Sequence, residues 1–276
     1  MTDPSDRSRS LFRLLEVMAA LRGPQGCPWD KRQDHSTLAP YLIEEAYEVV
    51  DAIEQPAAAP GAEPSLREEL GDLLLQVVFH ARIAEEDGRF DFHDVAAGIA
   101  DKLVERHPHV FAGQTFESAE ALRRMWHEKK MVGRASALDG VPAALPALQR
   151  AAKVSGAAAA AGFEWHRLDQ ILAKCQEELD EFRSELEARG PQSRPASAQA
   201  AVETELGDLL FALVQLARWQ RIDPESALRR ATAKFMARFR WMEARLRERD
   251  GESDAGRQIP ADWEALWAEA KAAIPG

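Results

Sequence analysis

Residues 66–81 read LREELGDLLLQVVFHA, and this stretch decides the fold. On a helix with 3.6 residues per turn, its leucines, valines and phenylalanine cover almost every side. A helix that is apolar nearly all round is expected to be buried. Its one polar stripe carries Glu69, Asp72 and Gln76, with His80 at the end. The stretch therefore predicts a buried helix that brings carboxylates into an interior.

The second half of the chain repeats this arrangement. Residues 202–219 read VETELGDLLFALVQLARW, so apolar side chains again surround a stripe that holds Glu205 and Asp208. Burial disfavours an isolated carboxylate, which must then become protonated or find a cation. A chain that contains such a costly pattern twice is expected to use it.

A second acidic motif, Glu-Glu-x-x-Glu, precedes each of these stretches. It occurs at Glu44, Glu45 and Glu48, and again at Glu177, Glu178 and Glu181. On a helix, like charges four residues apart repel by roughly 0.2–0.5 kcal/mol per pair. If the two acidic helices of each half pair with each other, four or five carboxylates converge, and carboxylate oxygen is the ligand that Mg²⁺ or Mn²⁺ prefers. The alternative is an ordinary exposed acidic face, since 46 of the 276 residues are acidic. The recurrence of both motifs favours a metal site.

The histidines do not indicate a transition metal. Di-iron helical bundles use Glu-x-x-His pairs, and no glutamate of either motif has a histidine three residues on. We interpret His107 and His109 as structural residues, and His80 as a hydrogen-bonded helix residue.

Two basic pairs follow the acidic motifs. Lys102 and Arg106, like Lys234 and Arg238, lie one turn apart on a predicted helix and present two cations on one face. Such a face can be merely solvated, but its recurrence in both halves favours phosphate binding. Trp126 and Trp267 are either core anchors or platforms for base stacking.

The motifs keep the same order in both halves, which predicts a duplicated helical domain. Nearly every long segment has helical periodicity, and no convincing alternating strand occurs, so the fold class is all-α. The unit is far too long for a stacked repeat. Breaks at Gly140, Pro142 and Pro146 predict a domain at 1–135, a linker at 136–146 and a domain at 147–276. The alanine run at 157–161 is compatible with a helix or a tether.

Composition excludes several classes of protein. The net charge of −11 argues against nucleic acid as the main partner, since a phosphate backbone requires a basic footprint. No apolar run approaches the length of a membrane span, and the polar start lacks a secretory hydrophobic region. Cys27 and Cys175 are too few and too far apart for a disulfide framework. We therefore expect a cytoplasmic protein.

Together these residues resemble the MazG-type nucleoside triphosphate pyrophosphohydrolases, over almost the whole chain. Further family-like pieces are Gly26-Cys27-Pro28-Trp29-Asp30, Gly88-Arg89-Phe90-Asp91-Phe92, Arg106-His107-Pro108-His109-Val110-Phe111 and Gly162-Phe163-Glu164-Trp165. The resemblance implies two tandem all-α MazG domains that form a homodimer through their helices. It also implies Mg²⁺-dependent hydrolysis of nucleoside triphosphates between the α- and β-phosphates, with Mn²⁺ as a possible substitute.

The resemblance also implies roles for individual residues. In the second half, Glu178, Glu181, Glu205 and Asp208 would hold Mg²⁺, with Glu177 as a further ligand or base. Lys174, Lys234 and Arg238 would bind the triphosphate, with Trp267 near the nucleotide. The first-half equivalents are Glu44, Glu45, Glu48, Glu69, Asp72, Lys102, Arg106 and Trp126.

The two halves differ at one position that bears on which of them is active. Tyr41, which brings no charge, stands where the second half has Lys174, so we expect the principal active site in the second half. Thr204 stands where family members can carry another acid.

Three other functions remain open at this point. The first is a narrow enzyme for dUTP, dCTP or a modified nucleotide, because these motifs do not encode base choice. The second is a non-catalytic helical scaffold or regulator that keeps its acids as relics. A metal-storage or oxidase bundle is disfavoured by the missing Glu-x-x-His. Neither a Gly-x-Ser-x-Gly elbow nor a Walker loop is present.

Overall fold

The computed structural model describes residues 4–54, 64–118, 121–122, 125–126, 133–189, 196–250 and 263–275. Across these residues the chain is helical and contains no β-strand, which confirms the all-α prediction. The helices are α1 (Pro4–Arg22), α2 (His35–Glu54), α3 (Pro64–Glu86), α4 (Phe92–Arg106), α5 (Pro108–Phe111), α6 (Ala147–Ala160), α7 (Leu168–Arg189), α8 (Ala196–Trp219), α9 (Pro224–Asp250) and α10 (Glu264–Ala273). A 3₁₀ turn at Asp30–Arg32 lies between α1 and α2.

The chain divides into two compact units, Met1–His127 and Glu128–Gly276. The boundaries predicted from the sequence at 136–146 stay a prediction. Among the residues described, none of the helices is both long enough and apolar enough to cross a membrane.

In the first unit, α2 lies along α3, while α1 and α4 also pack against α3. His35 at the start of α2 contacts His80 late in α3, and Glu48 late in α2 lies near Glu69 early in α3, so the two helices are antiparallel. The buried core that α1, α2 and α3 share consists of Met18, Leu38, Val78, Phe79 and Ile83.

Two sets of polar contacts fix the ends of α2 and α3. The carboxylate of Asp34 accepts hydrogen bonds from the backbone N–H groups of Ser36 and Thr37, both at 2.8 Å, and so caps the start of α2. Arg22 donates to the carbonyl oxygens of Asp30 and Gln33 and binds Glu86 at 2.7 Å. This one side chain therefore fastens the loop before α2 to the end of α3.

The second unit repeats the antiparallel pair. Here α7 lies along α8, α6 packs against α8 and α9, and α10 packs on α9. Arg218 of α8 donates to Ser155 of α6 at 2.9 Å and to Glu164 at 2.6 Å. The alanine run belongs to α6 as far as Ala160, so a helix and not a tether occupies it.

The structure corrects one expectation about burial. The prediction that α3 and α8 are buried on almost every side is wrong for the single chain, because Leu70 is 49% exposed and Leu210 is 45% exposed. One side of each helix packs on its neighbours within the unit, and the opposite apolar side faces outward. The remaining outward side chains of this kind are Leu66, Leu74 and Val77 on α3, and Leu206 and Leu213 on α8.

The helix predicted at 118–131 falls largely outside the described residues. Within it, residues 121–122 and 125–126 are helical.

We predict that Gly26→Ala destabilises the first unit. A Cβ atom at Gly26 would lie 2.0 Å from the backbone oxygen of Leu21, which itself accepts a hydrogen bond from Cys27. Relieving that overlap should cost about 1–3 kcal/mol of unfolding free energy. Urea unfolding measures the loss, and hydrogen exchange of α1 locates it.

Gly98→Ala on α4 is the matched control for this prediction, since nothing lies within 4 Å of its Cβ position. It should be neutral or stabilising by about 0.5–1 kcal/mol. Equal stability of both variants would contradict the steric argument.

Candidate metal centres in the two repeats

Three carboxylates meet in the first repeat. Glu45 and Glu48 on α2 and Glu69 on α3 each offer an oxygen, and these oxygens all lie within 4.8 Å of one another. The spacing of three residues puts the first two on one face of α2. The antiparallel packing of α3 then brings the third opposite them.

The second repeat forms the same group from equivalent positions. Glu178 and Glu181 on α7 and Glu205 on α8 also have oxygens within 4.8 Å of one another. Glu178 is buried, Glu205 is half-buried and Glu181 is exposed. Six of the predicted acidic residues therefore converge as two groups of three.

The remaining predicted acids lie beside these groups. Asp72 is exposed on α3, yet its charge helps to raise the pKa of both Glu45 and Glu69. Asp208 is exposed on α8, and Glu177 is bound by Lys174. Glu44 is exposed on α2, next in the chain to Glu45. None of these four belongs to the three-membered groups that form among the described residues.

The first group accumulates negative charge, and none of the described residues supplies an ion-pair partner. Partial burial, followed by the charges of Asp72 and Glu48, raises the pKa of Glu45 above its ordinary value. Partial burial and Glu48 likewise raise the pKa of Glu69. Among the described residues, no lysine or arginine forms an ion pair with this group. The group is therefore strained when all its members are ionised, and a cation would relieve it.

In the second repeat, a lysine forms ion pairs beside the acidic group. The Nζ atom of Lys174 lies 2.8 Å from an oxygen of Glu177 and 2.8 Å from an oxygen of Glu178. These two hydrogen bonds raise the pKa of Lys174, so the ammonium stays charged. Burial and the charge of Glu178 raise the pKa of Glu181, while Lys174 acts in the opposite direction.

The arginine of each basic pair contacts the chain segment that follows its helix. Arg238 donates from Nε and Nη2 to the carbonyl oxygen of Ile274, at 3.0 and 2.9 Å, and its guanidinium lies over the ring of Trp267. The indole of Trp126 donates to the carbonyl oxygen of Arg106 at 2.6 Å. Both tryptophans therefore anchor C-terminal segments to the basic helices.

Lys102 and Lys234 are exposed. In the part of the chain that the structure describes, no hydrogen bond or ion pair joins either basic pair to the acidic groups.

The histidines make internal contacts, as the sequence analysis expected. His80 meets His35 through their Nδ1 atoms at 2.8 Å, and His107 lies 2.7 Å from the carbonyl oxygen of Leu103. Neither residue is part of an acidic group in the described residues.

Two tryptophan contacts, one in each repeat, were not predicted. Trp29 packs edge to face on Tyr41, with ring centroids 6.2 Å apart, whereas Trp165 donates to Gln215 at 2.7 Å. Both tryptophans stand shortly before the first acidic helix of their repeat. That shared position is a sequence signal that could have drawn attention to them, but their partners depend on tertiary packing.

The donor set fits a hard divalent cation. Each group offers carboxylate oxygens alone, with another carboxylate beside it, which suits an ion such as Mg²⁺ that keeps several of its waters. Zinc and iron sites would be expected to include cysteine or histidine.

Comparison with known proteins shows that both repeats match the same family. The model of the MazG nucleotide pyrophosphohydrolase domain matches the chain twice, at residues 33–111 and 167–242. Each match contains one complete acidic group. The chain belongs to the MazG family.

Similar proteins cover most of the chain. A nucleoside triphosphate pyrophosphohydrolase of Escherichia coli (strain K12) is 48% identical over 237 residues, which are 84% of this chain and 86% of that protein. A nucleoside triphosphate pyrophosphohydrolase/pyrophosphatase MazG of Thermotoga maritima is 42% identical over 241 residues, or 86% and 87% of the two chains. The predicted membership of an enzyme family with tandem MazG domains is thereby confirmed, whereas the roles of individual residues stay predictions.

We predict that Glu45→Gln raises the melting temperature of the metal-free protein at neutral pH. The folded-state pKa of Glu45 is raised, so its ionisation destabilises the fold at a pH above that pKa. Below the unfolded pKa the residue is neutral in both states, and the difference should vanish. The expected gain is on the order of 0.5 kcal/mol, the size of a like-charge helix pair.

Thermal melts in a chelator at neutral and acidic pH test this prediction. Glu16→Gln, an exposed site on α1 outside the group, is the control. A loss of stability in Glu45→Gln under these conditions would show that repulsion does not govern the group.

Proposed function

We propose that this chain is a Mg²⁺-dependent nucleoside triphosphate pyrophosphohydrolase of broad specificity. It would convert a ribo- or deoxyribonucleoside triphosphate and water into the monophosphate and pyrophosphate. The observation that carries the proposal is the same three-carboxylate group in both repeats, each inside a range that matches the MazG domain. The names of the E. coli and T. maritima relatives point to the same activity.

The second repeat is our candidate for the principal active site. Glu178, Glu181, Glu205 and Asp208 would hold Mg²⁺, because they offer oxygen ligands from two facing helices. When bound, Mg²⁺ would neutralise phosphate charge and make a water molecule more acidic.

The other residues of this repeat would bind and orient the substrate. Lys174 already lies against the acidic group, where a triphosphate oxygen could accept its hydrogen bond in place of Glu178. Lys234 and Arg238 would contact the phosphates from α9, and Trp267 would lie near the nucleotide. Glu177 is exposed and would accept a proton from the attacking water. Positioning and charge stabilisation account for most phosphoryl-transfer catalysis, so no nucleophilic side chain is needed.

The first repeat would form a second site that is active, weakly active or structural. Glu45, Glu48, Glu69 and Asp72 would be its ligands, with Glu44, Lys102 and Arg106 beside them. Manganese would substitute for magnesium at either site. The same proposal includes two domains, at 1–135 and 147–276, with a linker at 136–146. It also includes a cytoplasmic location and no nucleic-acid partner.

A panel of nucleoside triphosphates tests the activity and its location. Wild type should release pyrophosphate from many NTPs and dNTPs with Mg²⁺, and none with chelator. Glu178→Gln/Glu181→Gln should lose the activity, because its Mg²⁺ ligands are removed. Glu45→Gln/Glu48→Gln is the matched control at the equivalent positions and should keep most of it.

Other outcomes of the panel have distinct meanings. Release from dUTP, dCTP or a modified nucleotide alone would replace broad specificity with a narrow house-cleaning role. No release from any nucleotide would favour a non-catalytic scaffold. Loss in the first-repeat variant alone would move the active site to that repeat.

We also propose that the chain forms a homodimer through α3 and α8. Each helix leaves an apolar stripe in contact with water in the single chain, formed by Leu66, Leu70 and Leu74 on α3 and by Leu206, Leu210 and Leu213 on α8. Burial of such a stripe by a second copy is favourable at roughly 25 cal/mol per Å². Long helices with outward apolar stripes suit a bundle made from two chains.

We predict that Leu74→Glu and Leu210→Glu each weaken the dimer, since a charged side chain would enter the apolar contact. Analytical ultracentrifugation should show a mass of two chains for wild type and a shift toward one chain for both variants. Leu138→Glu, at an equally exposed leucine in a loop, is the control and should leave the mass unchanged. A single-chain mass for wild type would refute the proposed dimer.

A further inference from the structure

The two acidic groups differ in what lies one turn before them. In the second repeat this residue is Lys174, whose ammonium touches Glu177 and Glu178. In the first repeat it is Tyr41, an exposed side chain that packs against the exposed Trp29. The same three-carboxylate geometry therefore occurs once with a lysine one turn before it and once with a tyrosine.

The ammonium of Lys174 binds an oxygen of Glu178, whose carboxylate belongs to the three-membered group. Water screens this pair in part, because 34% of the Lys174 side chain and 9% of the Glu178 side chain are exposed. A divalent cation bound at Glu178 either lies close to the ammonium, where the two positive charges repel, or displaces it and breaks the ion pair. Both costs oppose metal binding.

At the first group, Tyr41 carries no positive charge, and no lysine or arginine in the described part of the chain forms an ion pair with Glu45, Glu48 or Glu69. The repulsion among these three carboxylates is relieved by protonation or by a cation. Among the described residues, a divalent cation therefore meets a group without a paired lysine in the first repeat and a partly compensated group in the second.

We propose that Lys174 is an internal counter-cation that weakens divalent-metal binding at the second group, so that the first group is the tighter metal site in the nucleotide-free protein. The inference rests on the proposed function, because it takes both acidic groups as metal sites. It assigns Lys174 and Tyr41 as the residues that set the relative affinity of the two repeats. The site with the weaker intrinsic metal affinity is the one whose lysine can be transferred to a triphosphate.

Direct binding of Mn²⁺ tests this inference without using activity. Free Mn²⁺ is measured by electron paramagnetic resonance in nucleotide-free protein after chelator treatment and dialysis. Glu45→Gln/Glu48→Gln leaves the second group to bind, and Glu178→Gln/Glu181→Gln leaves the first. We expect the first group to bind Mn²⁺ on the order of tenfold more tightly than the second.

Substitutions of Lys174 and Tyr41 should then reverse the difference in Mn²⁺ affinity between the two groups. With only the second group intact, Lys174→Met should tighten Mn²⁺ binding on the order of tenfold, while Lys174→Arg should leave it weak because the charge remains. With only the first group intact, Tyr41→Lys should weaken binding by a similar factor, and Tyr41→Phe should not change it. Lys153→Met, at an exposed lysine of α6, is the control for a general loss of positive charge. Circular dichroism checks that each variant keeps its helical content.

The possible failures are distinguishable. If both groups bind Mn²⁺ but Lys174→Met leaves the second group unchanged or weaker, the inference is overturned and the proposed metal sites stand. If Lys174→Met and Lys174→Arg tighten binding equally, the effect is steric, and the counter-cation role is likewise overturned. If neither group binds Mn²⁺, the inference and the proposed metal sites fail together.

Discussion

Electrostatic repulsion inside each helix pair is the constraint around which both repeats are organised. Three carboxylates that lie within 4.8 Å of one another oppose the packing of the two helices that carry them. Burial of Leu38 and Val78 in the first repeat, and of Ile171 and Val214 in the second, offsets this repulsion. These four positions lie toward one end of each antiparallel pair and the acids toward the other, where Val49 and Val202 are also buried. Apolar burial on the same helices thus holds the acids close together.

The ends of these helices are fixed by polar contacts, which differ between the repeats. In the first, Arg22 connects the preceding loop to Glu86 on α3, and Asp34 caps α2. In the second, Arg218 on α8 connects Ser155 and Glu164. Each arrangement uses one arginine with several oxygen acceptors, a geometry suited to its planar guanidinium. The duplicated fold therefore tolerates different connections, provided that the antiparallel pair stays in register.

The two repeats also differ in the charges that surround their acidic groups. The first group is strained by burial and by its acidic neighbours, whereas Lys174 partly compensates the second. The contact of Lys174 with the buried Glu178 contributes to the stability of the metal-free fold, because loss of the lysine would leave a buried carboxyl group without its partner. In the proposed function, the same contact would place the lysine beside the phosphates of a bound substrate. A single position, occupied by Tyr41 in the first repeat and Lys174 in the second, thus distinguishes the two acidic groups.

The amino-acid sequence by itself determined the fold class, the duplication and the family, and it named ten candidate acids, six of which form the two groups. These properties follow from local rules: helical periodicity, a spacing of three residues that places Glu45 beside Glu48, and motifs that keep their order in both halves. Only the tertiary structure decided that Lys174 contacts Glu178, that Arg238 and Trp126 are tied to following segments, and that Leu70 and Leu210 face outward. Periodicity shows that a helix has an apolar side. It does not show which part of that side is buried by other helices of the same chain. Burial and pairing depend on which helices come together and in what register, and those are properties of the packed chain.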